Sequence, residues 1–211
     1  MRIAIIGGSR GVGLATARGA LVRGHEVVIV SRSDPRLIQD GVRWLSGDAR
    51  DATVLEKALE GCSATVSALG VSDPWKATKL YSQAAQALVQ AMDYAGLKRT
   101  VLVTGLGAGD SRGRQGWIYD RVIFPLILAR SYADKDRAEN VLRASDLNWT
   151  VVRPGRLTNG EPRNNIDALL TPETYRYGAI SRADVAGFVL DCIEQGTFLQ
   201  QTPQIIDRRK N

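Results

Sequence analysis

Ile3-Ala4-Ile5-Ile6-Gly7-Gly8-Ser9-Arg10-Gly11-Val12-Gly13 decides the fold, because an apolar run breaks into glycines and Leu14 to Arg23 follow with helical composition. The order is strand, tight turn, helix. Gly7 and Gly11 permit backbone angles that a Cβ disfavours, so the main chain can turn sharply and approach a bound group closely. A helix opening near Gly11 points its unpaired N–H groups, worth about half a positive charge, out of that turn. Such a turn seats the pyrophosphate of a dinucleotide, with Gly7, Ser9, Arg10, Gly11 and Val12 as its contacts.

The next strand, Glu26 to Val30, ends in Ser31-Arg32-Ser33-Asp34. A site for NAD usually closes this strand with a carboxylate for the ribose hydroxyls; here a serine and an arginine stand instead. A guanidinium fork matches a phosphate, so Arg32, with Ser33, is expected on the 2′-phosphate of NADP(H), and Arg10 closes on it from the glycine turn. The competing reading makes both arginines solvated loop charges, with Asp34 as a rival partner for Arg32.

Farther out, strands and helices keep alternating: Val42 to Leu45, a helix from Ala52 to Glu60, Ala64 to Leu69, a long helix through Leu80, Ala84, Leu88 and Ala91, then Thr100 to Thr104. This specifies an α/β fold, a Rossmann-type doubly wound parallel sheet in a single domain spanning 1–211. Ligands in such sheets lie beyond the carboxyl ends of the strands. Asp48-Ala49, Ala68-Leu69-Gly70 and Thr104-Gly105 occupy those ends and are expected at the cofactor. For Asp48 a turn or cap role stands equally beside ligand contact. The glycine-rich segment Gly105 to Gly116 is a candidate lid, and elements within 105–180 supply most of the substrate side.

At 211 residues and 44% hydrophobic content the chain can bury one sizeable core. Val122 to Ala129, the longest apolar stretch, contains Pro125 and is too short to span a bilayer. Met1-Arg2-Ile3 already reads as strand, so no secretory signal is expected and the location is cytoplasmic. Cys62, Cys192 and the lone His25 lack metal or redox spacing, and Cys192 falls on an apolar helix face. No metal is expected. The net charge of +6 is scattered, which argues against nucleic acid. The expected partner is a small-molecule substrate, with the chain a monomer or homodimer.

The stretch Lys135-Asp136-Arg137-Ala138-Glu139 through Asn148-Trp149-Thr150-Val151-Val152-Arg153-Pro154-Gly155-Arg156-Leu157 resembles the atypical short-chain dehydrogenase/reductase (SDR) family, including NmrA-like and biliverdin or flavin reductase-like proteins. The glycine spacing G-x-x-x-G-x-G and Ile180-Ser181-Arg182-Ala183-Asp184 agree with it. The resemblance implies that Asp48 meets the adenine, that Thr104 and Gly105 lie beside the nicotinamide, that Pro154, Gly155 and Leu157 touch the cofactor, and that Lys135 holds the ribose. It also implies a catalytic tyrosine four residues before the lysine, where this chain has Ser131. Tyr132 comes one place late, a rotation of about 100° around a helix axis. It can still face Lys135, since positions three apart are neighbours. Ser181 with Asp184 reads as a helix cap.

Lys135 and Tyr132 are therefore the catalytic candidates, and Tyr119 and Arg156 the substrate contacts. The expected function is an NADP(H)-dependent oxidoreductase passing hydride to a small conjugated or flavin-like acceptor. The alternatives are an NmrA-like redox sensor without turnover and an epimerase or isomerase.

Overall fold

The computed structural model describes residues 1–37, 40–71, 78–109 and 129–208, with side chains from Tyr132 onward in the last segment. β1 (Arg2–Ile6), α1 (Gly11–Val22), β2 (Glu26–Ser31), β3 (Val42–Ser46), α2 (Ala52–Leu59) and β4 (Ala64–Ser67) form the first half. α3 (Leu80–Tyr94), β5 (Arg99–Val103), α4 (Ala129–Arg143) and β6 (Asn148–Pro154) continue the alternation. β7 (Arg156–Thr158), β8 (Ile166–Leu169), β9 (Ala179–Ser181), α5 (Arg182–Glu194) and β10 (Gln204–Asp207) complete it.

Among the described residues eight strands form one sheet in the order β3-β2-β1-β4-β5-β6-β10-β8, and β7 pairs with β9 separately. The sheet is parallel except at its edge, where β8 runs antiparallel to β10. This is the expected Rossmann-type architecture. The edge pair β8–β10 and the small β7–β9 ladder lie beyond the alternation that the sequence announces.

Successive side chains of a strand point to opposite faces, and β1 shows what that does here. Ala4 and Ile6 pack under α2, α3 and α4, whereas Ile3 and Ile5 pack under α1 and α5. Both faces are covered, so β1 is apolar from Ile3 to Ile6 rather than alternating. Burying each isoleucine contributes about 1.5–3 kcal/mol relative to exposure.

Chain direction decides where the site falls. β1 pairs with β2 on one side and β4 on the other, so successive crossovers leave β1 in opposite directions. A crevice therefore opens beyond the carboxyl ends of β1 and β4. No helix among the described residues is long and apolar enough to cross a membrane.

Candidate dinucleotide site

A cleft of about 1180 Å³ occupies that crevice. Its floor is the glycine turn, lined by Gly7, Ser9, Arg10, Gly11 and Val12. Gly7 and Gly11 hold φ of +87° and +60°, the left-handed region that glycine tolerates. A Cβ on Gly7 would stand 2.8 Å from the Ala68 carbonyl oxygen, so strand ends β1 and β4 close the floor only without a side chain there. Arg10 precedes α1 in extended conformation, gives it no side-chain cap, and no acidic residue occupies the first turn. The first-turn N–H groups thus lack the usual internal acceptors. A cradle that a Cβ would fill, beside an uncapped positive helix end, fits the phosphates of a dinucleotide.

At the end of β2, Ser31, Arg32, Ser33, Asp34, Asp48 and Ala49 line the wall. Ser31 Oγ donates to the Ser33 carbonyl at 2.8 Å and accepts from Trp44 Nε1 at 3.1 Å, which fixes the turn that carries Arg32. Asp34 accepts the Arg36 backbone N–H at 2.7 Å and does not capture Arg32. Among the described residues Arg32 donates no hydrogen bond. Asp48 takes its turn role: it accepts the Arg50 N–H at 2.9 Å and pairs with Arg50 Nη2 at 2.6 Å. Those bonds hold its carboxyl down at about 2. The cap of α2 is Asp51, accepting from Thr53 and Val54.

The opposite end belongs to α4. Lys135 Nζ donates to the Thr104 carbonyl at 2.8 Å and lies 4.4 Å from the Tyr132 ring centre and 5.4 Å from that of Tyr81. Tyr132 therefore does face Lys135, as positions three apart on a helix permit, and both line the cleft with Tyr81. Burial lowers the Lys135 amine from 10.5 to about 8, against the opposing pull of Glu139 and Asp136. Behind the lysine, Thr104 Oγ1 donates to Glu139 at 2.9 Å, and Arg153 Nη2 donates to the same carboxylate at 2.6 Å.

Ala68, Leu69, Gly70, Thr104, Pro154 and Leu157 line the cleft as the sequence suggests. Gly105, Gly155 and Arg156 do not. Gly105 sits behind Tyr132: a Cβ on it would fall 3.0 Å from the phenol oxygen. Gly155 packs against Gly178 and Ile206, where a Cβ would collide with the Gly178 carbonyl. Arg156 is exposed, with its N–H bonded to the Gly178 carbonyl at 2.9 Å. Tyr119 and positions 110–116 of the expected lid lie outside the described residues.

Sequence reasoning missed Arg18, Tyr81, Asn159, Glu161 and Arg182 in the lining. Arg18 had a legible signal, since Gly11, Leu14, Ala15 and Arg18 follow one helical face. The others come from distant segments. Outside the cleft, His25 pairs with Glu194 at 2.7 Å, and Cys192 is buried in the core with its thiol pushed up to about 11. No metal-holding cluster occurs among the described residues.

Fold and cleft together define a Rossmann-type NAD(P)-binding domain. The chain belongs to the NAD(P)H-binding family, whose model matches residues 7–196. It is similar to chuY of Escherichia coli CFT073, at 27% identity and a TM-score of 0.83 covering 100% of this chain and 99% of that one. ChuY of E. coli O157:H7, described as an anaerobillin reductase, is 26% identical with a TM-score of 0.81 and coverage of 100% and 99%. An uncharacterized sugar epimerase, YhfK of Bacillus subtilis, is 32% identical over 65% of this chain. The chain spans 60% of that relative's length.

Proposed function

We propose that the protein is an NADPH-dependent reductase acting on a small conjugated or flavin-like acceptor. The observation that carries this reading is that one cleft holds Arg32 at one end and the Lys135–Tyr132 pair at the other. Arg32 and Arg10 grip the 2′-phosphate, and Ser31 offers no carboxylate to repel it. Gly7 to Val12 cradle the diphosphate. The bound cofactor supplies the hydride. Lys135 holds the adjoining ribose, Tyr132 offers its hydroxyl as proton donor to the acceptor, and Pro154 and Leu157 shield that end from water. Likeness to a protein described as an anaerobillin reductase supports the reductase class.

The test follows NADPH absorbance with a panel of quinones, flavins and enones. Consumption with at least one acceptor, reduced in Tyr132→Phe, is expected. NADPH binding with no consumption across the panel overturns the reading in favour of the sensor. A second reading, epimerase or isomerase, is favoured by the description of the Bacillus relative, and it requires conversion without net change in NADP(H).

A further inference from the structure

We propose that Arg182 is the side chain that clamps the diphosphate bridge of the dinucleotide, a role that rests on the NADP(H) reading above. The neighbouring Ser181 and Asp184 are accounted for: Ser181 Oγ accepts the Asp184 N–H at 2.9 Å and caps α5. Arg182, the first residue of α5, serves no part of that cap. Its side chain reaches across to the glycine turn, where a Cβ on Gly11 would lie 3.9 Å from its Nε, and it lines the cleft.

The placement leaves Arg182 facing a positive helix end. A cation in the first turn of a helix opposes that helix's dipole, and Arg182 also meets the positive end of α1. Among the described residues its hydrogen-bond partner is a neutral amide, Asn159 Oδ1, at 2.6 Å. The carboxylates of the cleft form no ion pair with it among the described residues: Asp34 accepts the Arg36 backbone N–H, and Asp48 is paired with Arg50. Asp184, the carboxylate in the same first turn, is taken up by Ser181 Oγ and the Arg163 and Asn164 N–H groups, so a cation facing the uncapped positive end of α1 still calls for an anion there.

Strand register explains how the clamp is held. Thr158 of β7 pairs with Ser181 of β9, so the residues that follow, Asn159 and Arg182, emerge side by side above the glycine turn. The Asn159 amide then orients the guanidinium, leaving its remaining N–H groups for phosphate oxygens. Arg32 lies at the end of β2, toward the 2′-phosphate. Arg182 thus acts on the part common to both dinucleotides, and Arg32 on the part that separates them.

Calorimetric titration of the intact protein with NADPH, NADH and 2′-AMP tests this division. Arg182→Gln is expected to weaken NADPH and NADH alike, by roughly tenfold or more, as loss of a charge-assisted bond implies, and to leave 2′-AMP unchanged. Asn159→Ala, which frees the guanidinium without removing it, is expected to give a smaller loss shared equally by the two dinucleotides. It carries the test should Arg182→Gln fold poorly. Unchanged affinity for both dinucleotides in the variants, or a loss confined to NADPH and 2′-AMP, overturns the assignment. Binding of neither dinucleotide by the wild-type protein is a distinct result: it overturns the cofactor reading and the clamp with it.

Discussion

Glu139 and Arg153 face each other as an ion pair with no solvent-accessible side-chain surface on either partner, Arg153 Nη2 standing 2.6 Å from Glu139 Oε2. The pair ties α4 to β6 directly behind Lys135. Arg153 Nε also donates to Oε1 at 3.1 Å, so the fork is bidentate, and Arg143 and Thr104 use the remaining acceptor capacity. Full pairing is what makes two buried charges tolerable.

Removing one partner therefore strands the other. Glu139→Leu is expected to destabilise the fold by about 3–5 kcal/mol, whereas the double variant Glu139→Leu/Arg153→Met loses clearly less because no buried charge is left alone. Urea unfolding of the two variants checks this, and equal losses would remove the argument.

Arg32→Ala is expected to weaken NADPH binding roughly tenfold or more while NADH affinity stays near the wild-type value, since only the 2′-phosphate loses its partner. Competitive titration of both nucleotides measures the ratio. An unchanged ratio would falsify the assignment.

Lys135 predicts a pH dependence. Its folded value of about 8 lies below its ordinary 10.5, so between those values the unfolded chain binds more protons than the folded one. Stability then rises with pH across that window as far as this group is concerned, and the burden of a buried ammonium is greatest below about 8. Subtracting the Lys135→Met stability profile from that of the wild type should expose this rise; a flat difference contradicts it. NADPH affinity runs the other way, falling as the amine loses its charge, and Lys135→Arg should abolish that fall.

Gly13→Ala tests the close approach of α1 to β1. An added Cβ would collide with the Gly7 carbonyl oxygen, which is backbone and yields only by moving the whole glycine turn. Overpacking of about 1–3 kcal/mol is expected, with weaker binding of NADPH and NADH together. Thermal melts with and without NADPH separate the two effects, and wild-type values in both would sink the prediction.

The sheet was legible because its signals are local. An apolar run, a glycine turn and a helical face each act within a few residues, and their repetition along the chain leaves few parallel arrangements. That Ser31 and Arg32 line the cleft was legible for the same reason, since they sit at the tip of β2. So was the Ser181 cap, whose partner is three residues away.

Chain sequence by itself thus determined the Rossmann alternation, the positive-φ turn and the charge that ends β2. Only the tertiary structure decided that Tyr132 meets Lys135, that Glu139 answers Arg153, and that Arg182 crosses to Gly11. Helical spacing allowed Tyr132 two directions, and the walls of the cleft chose one. The other pairs join residues far apart in sequence, through crossovers whose lengths carry no record of which side chains they bring together. Local periodicity sets which face of an element is apolar; where two elements meet depends on the packing of every layer between them.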